Sequence, residues 1–167
     1  MPSMIILGID PGFATIGYGV ISVENGKVRA VDYGVIKTPK ENTFPERLVM
    51  IEKGVNLLID KFLPDEIALE ELFFNTNITT GINVAHARGV IVSTCYKKCQ
   101  RLFEYTPLQI KQALTGYGRA EKKQIQAMTT SLLGLAKLPR PDDAADALAV
   151  ALTHANTNRF SSNFGIK

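Results

Sequence analysis

The sequence predicts a single α/β domain: a five-stranded mixed sheet with helices on both of its faces. Three observations predict it. The first residues hold three β-rich segments in succession, two shorter apolar segments follow with a helical stretch before each, and the chain finishes in helices. With 167 residues and 46% hydrophobic content, the chain buries one core and is too short for two comfortable ones.

Taken in order, residues 4–10 (MIILGID) form an apolar run that closes on an acid, and β-rich character returns at 16–23 and 28–37. Asn25-Gly26 between the last two is a two-residue hairpin signal, so those neighbours run antiparallel and the three form a meander. From 44 to 62 the period changes, with Leu48, Ile51, Val55, Leu58, Ile59 and Phe62 at helical spacing. Pro64 stops this helix, and Glu66-Ile67-Ala68-Leu69-Glu70 is a short buried strand that also ends in a carboxylate.

Residues 78–98 are a long helix rich in small and apolar groups on more than one face. Such a helix is expected to be covered on both sides, under the sheet or in a subunit contact. Leu102–Tyr105 is a fifth strand, and Thr106-Pro107-Leu108-Gln109 is a capping box with proline at the first helical position, opening a helix to about Leu114. Gly116 and Gly118 break it, Glu121–Leu133 is the next helix, and Pro139-Arg140-Pro141 leads into a last one that runs through His154. The sequence thus divides into a domain of residues 1–156 and a polar, frayed tail of residues 157–167.

Composition excludes several classes. Cys95 and Cys99 stand four apart without a His or Cys cluster, so they are expected to be reduced, packed thiols rather than a disulfide framework or a zinc site. No apolar stretch approaches the roughly 20 residues of a membrane span, and no basic-then-apolar leader opens the chain, so a cytoplasmic protein is expected. The net charge of +3 conceals an uneven division. Residues 88–123 hold Arg88, Lys97, Lys98, Arg101, Lys111, Arg119, Lys122 and Lys123 against Glu104 and Glu121, a net +6 that leaves −3 elsewhere. A basic stretch beside an acidic remainder suits a polyanion-binding surface with a separate carboxylate site, although solvated helix faces give the same count.

The acids are placed where structure usually excludes them. Asp10 and Glu70 end buried strands, and Asp143 and Asp146, three apart, share one helical face surrounded by Ala144, Ala145, Ala147 and Ala149. These alanines are small enough for the helix to lie close against a sheet, which would let two strand-end acids meet two helix acids. Like charges about 4 Å apart repel by roughly 4 kcal/mol at an effective dielectric near 20, so such a cluster needs a cation. Oxygen-only ligation suits a hard ion such as magnesium, and two ions can activate a water and stabilise the leaving oxygen of a phosphodiester. Taken singly, Asp10 is equally a turn acid before Pro-Gly, Glu70 half of a surface ion pair, and Asp142 and Asp143 helix-start acids.

The motifs GIDPG (8–12), ALEELFF (68–74) and DAADALAVALTH (143–154), with ARGV (87–90) and a K-Q…G-x-G-x-A-E-K run (111–122) between them, resemble the RuvC family of junction-resolving endonucleases from about residue 5 to 155. The resemblance implies a ribonuclease H-like fold and a homodimer that nicks a four-way (Holliday) DNA junction at symmetric positions in recombination and repair. It implies that Asp10, Glu70, Asp143 and Asp146 are the catalytic, metal-binding acids, served by two Mg2+ ions with Mn2+ as a substitute, and that a branch-migration motor of the RuvA and RuvB type is a partner. Lys111 and Lys122 match the family's DNA-backbone contacts, with Arg88, Arg119 and Lys123 as neighbours. Phe73 matches the aromatic that stacks on or separates bases beside the cut, with Phe74 next to it or anchoring the loop. The helix 78–98 is the candidate dimer contact.

Two positions depart from the family pattern: Arg119 stands where a small helix-capping residue is expected, and Asp142 adds a charge beside the site. His154 is read as a packed or supporting residue, and His86 as structural. Two rivals remain open. Ile9-Asp10-Pro11-Gly12 with Gly17 and Gly19 also looks like the first phosphate motif of sugar kinases and actin-like ATPases, although the chain supplies one lobe where those enzymes use two. A non-catalytic junction-binding module would use the basic surface alone.

Overall fold

The computed structural model describes residues 3–71, 78–157 and 165–166, with the side chains of residues 78 and 79 left aside. Strands β1 (Met4–Asp10), β2 (Thr15–Glu24) and β3 (Lys27–Lys37) form the expected meander. The turn joining the last two carries φ of 51° at Asn25 and 77° at Gly26, both left-handed, which is the geometry that Asn-Gly favours in a two-residue hairpin. Helix α1 (Phe44–Phe62) opens on a Thr43/Glu46 capping box with Pro45 in its first turn and ends at Leu63, whose φ of 47° takes the chain out of the helix before Pro64.

Strand β4 (Glu66–Glu70), helix α2 (Ile78–Lys98), strand β5 (Leu102–Tyr105) and helices α3 (Pro107–Thr115), α4 (Lys122–Leu132) and α5 (Asp142–Thr157) complete the domain. The strand order is β3-β2-β1-β4-β5, with β1 antiparallel to β2 and parallel to β4, and β4 parallel to β5. Because side chains alternate along a strand, the sheet builds two cores. Ile6, Ala68, Phe103 and Tyr105 meet α3, α4 and α5 on one face, whereas Leu7, Ile9, Ile67, Leu69 and Leu102 meet α1 and α2 on the other. The expected mixed sheet with helices on both faces is the observed one.

Of the two covers expected for helix α2, the fold of one chain supplies one: Ala87, Ile91, Thr94 and Cys95 are buried, while Ile82, His86, Gly89, Ser93 and Tyr96 stand exposed. The single sheet covers one side of a helix that the sequence pattern left apolar on more. Helix α5 continues past His154 to Thr157, whose hydroxyl donates to Tyr105 Oη at 3.0 Å. Of the tail, Gly165 bridges Phe103 and the Ile166 amide donates to the Leu102 carbonyl at 3.0 Å. Strand β5 is the edge of the sheet, and its unpaired backbone groups explain why a short segment docks there.

Cys95 and Cys99 are buried free thiols, as expected. Among the described residues, no helix is long and apolar enough to cross a membrane.

Candidate active site

The site forms where three elements converge. Strands β1 and β4 run parallel with Ile9 opposite Leu69, so the acids that follow each of them, Asp10 and Glu70, emerge level with one another at the strands' carboxyl ends. Helix α5 crosses the same face with its N-terminus at that end. Its approach depends on residues without side chains: a Cβ on Gly17, the β2 partner of Asp10, would run into the Asp143 backbone carbonyl, and one on Gly8 would strike the Ala147 carbonyl. Glycine in the strands and alanine in the helix bring the two backbones together, and this closeness carries Asp143 and Asp146 to Asp10.

Asp10, Asp143 and Asp146 each present a carboxylate oxygen within 4.8 Å of the others. Glu70 is not in this tight group but hydrogen-bonds Asp10. The electrostatics follow. Burial, then the charge and hydrogen bond of Glu70, then Asp146 and Asp143 push the Asp10 carboxyl up to about 10. Asp146 is raised to about 6, by burial first, against the attraction of Lys122. Glu70 is raised by burial, opposed by its hydrogen bond with Asp10 and by Lys122 and Lys111. At 4.8 Å or less, each charged pair costs about 3.5 kcal/mol or more at a dielectric near 20. Oxygen donors with unmet negative charge are what a hard divalent cation fits.

Beside the acids lies a groove of about 430 Å³, walled by Glu70, Asp146, Lys111 and Lys122 and floored by Ile110, Ile125 and Ala149. Lys122 reaches back over the acids, 3.8 Å from Asp146 and 3.4 Å from Asp142. Those carboxylates hold its ammonium above the usual lysine range although burial works against it.

Residues 6–154 match the family model for the crossover junction endodeoxyribonuclease RuvC. The chain belongs to the RuvC family. A crossover junction endodeoxyribonuclease RuvC from Alkaliphilus oremlandii is 53% identical over 98% of this chain and the whole of its own length. One from Clostridioides difficile is 51% identical over 93% of this chain and 92% of its own. Among solved structures, Thermus thermophilus RuvC in complex with a Holliday junction substrate superposes with a TM-score of 0.89 at 36% identity, covering 95% of this chain and 97% of that one. The yeast mitochondrial resolvase Ydc2, at 16% identity and a TM-score of 0.67, shares the fold.

On this RuvC scaffold the residues expected from sequence separate into groups. Asp10, Asp143 and Asp146 meet, Glu70 joins them through Asp10, and Lys111 and Lys122 wall the groove next to them. Arg119 and Lys123 are exposed on the same side of the sheet. Arg88 is not brought to them: it lies on α2, across the sheet, with Nη2 2.5 Å from Glu104. The +6 segment is therefore not one surface, since Lys98 and Arg101 are also paired, with Asp60 and Glu66. Phe73 and Phe74 lie outside the described residues.

The departures from the family pattern find simple accounts. Helix α4 starts from Glu121, whose amide donates to Gln124 Oε1 at 2.7 Å, so Arg119 lies ahead of the cap and leaves the helix start unaffected. Asp142 is held by Arg140 at 2.7 Å and by Lys122. Gly17 and Gly19, which suggested a phosphate motif, face α5 and serve packing. His86 sets its ring edge-on to Phe44, 5.4 Å between centroids.

Sequence reading missed one arrangement. Glu66 and His154, 1% and 0% exposed, are hydrogen-bonded through His154 Nε2, while Nδ1 lies 2.6 Å from Tyr105 Oη and Arg101 pairs with Glu66 at 2.8 Å. Glu66 was legible as a glutamate in an apolar strand, a polar group that needs a partner.

Proposed function

We propose that this chain resolves four-way DNA junctions by magnesium-dependent hydrolysis of phosphodiester bonds, one nick per subunit of a homodimer, in recombination and repair. The observation that carries the reading is the meeting of Asp10, Glu70, Asp143 and Asp146 at one end of α5, with their negative charge only partly offset by Lys122. Their all-oxygen donor set fits two Mg2+ ions, with Mn2+ able to substitute. Bound there, magnesium supplies an activated water and stabilises the oxygen that leaves.

The rest belongs to the chain. Lys111 and Lys122 stand where the strand to be cut would pass, and they neutralise its phosphates; Arg119 and Lys123 extend that surface. Lys122 covers the acids until DNA draws it away, so one ammonium serves both the empty and the loaded site. Phe73, and with it Phe74, lies in the chain directly beyond Glu70, where an aromatic ring would meet bases next to the cut. Arg88, tied to Glu104 across the sheet, would take part in DNA contact only by way of the second subunit.

The exposed outer face of α2 supports its role as the dimer contact, since a two-fold axis there would set two sites in symmetric relation. A branch-migration motor of the RuvA and RuvB type would deliver junctions to this dimer in the cytoplasm.

The test is nicking of a labelled synthetic four-way junction against a linear duplex, with magnesium or with chelator, by the wild type and by Asp10→Asn. Paired nicks on the junction, dependent on magnesium and reduced at least on the order of a hundredfold in the variant while binding persists, are the expected result. Binding without cleavage under any divalent metal would leave a junction-binding module instead.

A further inference from the structure

We propose that Tyr117, in the loop between α3 and α4, is a DNA-contacting residue whose ring stacks on a base left exposed at the branch point; the inference rests on the junction-cleaving reading above. The loop is built rather than slack. Gly116 ends α3 with φ of 72°. The Tyr117 amide donates to Thr115 Oγ1 at 3.1 Å, and that hydroxyl donates to the Lys111 carbonyl at 2.6 Å. The Ala120 amide in turn donates to the Tyr117 carbonyl at 3.2 Å. Gly118 lets the loop lie on Leu108, since a Cβ there would come within 2.7 Å of Leu108 Cδ1.

On this fixed backbone the Tyr117 side chain is 54% exposed. Its surroundings are those of a polyanion site. Thr115 ties it to Lys111, and three residues on, Ala120 is in the groove wall with Glu121 and Lys122 behind it. Arg119 and Lys123, also exposed, lie to either side of that wall in the chain. A ring in the loop that joins the helices bearing Lys111 and Lys122 takes the flat face of a base, which is what cations cannot recognise. In paired duplex those faces are covered by neighbouring pairs, whereas at a branch point stacking is interrupted. The ring therefore discriminates by shape: junction against duplex.

The test is binding of a four-way junction and a linear duplex, in magnesium-free buffer over a salt series, by wild type, Tyr117→Ala, Tyr117→Phe and Lys111→Ala. Tyr117→Ala is expected to weaken junction binding roughly 5- to 100-fold, the range of base–aromatic stacking, with duplex binding and the salt slope unchanged. Tyr117→Phe should bind as the wild type, because the ring and not the hydroxyl does the work. Lys111→Ala should instead flatten the salt slope on both substrates, since it loses a phosphate contact. A fluorescent 2-aminopurine next to the branch point should be quenched by wild type and Tyr117→Phe and not by Tyr117→Ala. Wild-type junction affinity in Tyr117→Ala, or an equal loss on duplex, overturns the proposal and leaves the resolvase reading intact. A wild type that shows no preference for the junction overturns both.

Discussion

Helix α5 carries a buried charge cluster at each end, and the two are solved in opposite ways. At its C-terminal end Glu66 accepts hydrogen bonds from Arg101 and His154, and the imidazole in turn takes one from Tyr105. With Tyr105 Oη donating to Nδ1, the ring carries its proton on Nε2 and donates it in a hydrogen bond to the carboxylate, so both ring nitrogens and both Glu66 oxygens have a partner within the chain. At the N-terminal end Asp10, Asp143 and Asp146 face one another, Asp10 shares a hydrogen bond with another acid, Glu70, and Lys122 comes no nearer to Asp146 than 3.8 Å. The first end is closed and holds the fold together. The second is open, and only a cation or a proton from solution completes it.

The difference can be broken from either side. The largest effect is expected from His154→Phe, which keeps the ring's bulk beside Phe103 but leaves Glu66 with Arg101 alone. Urea unfolding should show a loss of about 3 kcal/mol, nearly equal with magnesium and with chelator, because the closed end has no use for metal. A loss confined to the magnesium-bound protein would mean that the two ends are not independent.

Asp10→Asn should act in the reverse direction. Removing one of the repelling carboxyls is expected to stabilise the metal-free protein by about 1 to 3 kcal/mol while abolishing the stabilisation expected from magnesium on the proposed reading. Thermal unfolding with and without the ion measures both, and an unchanged metal-free midpoint would show that the acids already share their charge at no cost.

The smallest effect, and the sharpest, is the pH slope of stability. The Asp10 carboxyl is raised from 3.8 to about 10 in the fold, so in chelator the folded state binds the extra proton and stability falls as pH rises through that window. His154 is displaced the other way: burial lowers it from 6.5, against the pull of Glu66, so the unfolded state binds the extra proton and stability is lost on acidification below 6.5. Glu66, raised by burial but brought below 4.5 by Arg101 and His154, adds to that loss in more acid solution. Each proton contributes at most about 1.4 kcal/mol per pH unit. Between pH 5 and 6.5, as a working window on the order of one unit, His154→Phe should steepen the fall with rising pH in chelator, and Asp10→Asn should flatten it, leaving the part that Asp146, raised to about 6, contributes. Identical slopes in the two variants would erase the distinction between the ends.

Most of the elements were legible in the chain because their signals are local. Asn25-Gly26 specifies its turn, Thr43 and Glu46 their capping box, and Pro64 the end of α1, all through contacts within a few residues. The acids were legible as well, since a carboxylate closing an apolar strand is out of place until something claims it. What was not legible has long range in common. Gly8 and Gly17 read as strand glycines, or as a phosphate motif, until α5 lies on them. Arg88 and Lys111 stand in one basic stretch, and the alternation of the sheet's faces sends them to opposite sides.

By itself the sequence determined the order and, to within a few residues, the limits of the strands and helices, the family, and which carboxylates were candidates, because periodicity, caps and turns act over a few residues. Only the tertiary structure decided that Glu66, Tyr105 and His154, up to 88 positions apart, would satisfy one another while Asp10, Asp143 and Asp146 would not. Burial, which makes an unpartnered charge costly, exists only once distant segments have closed around it.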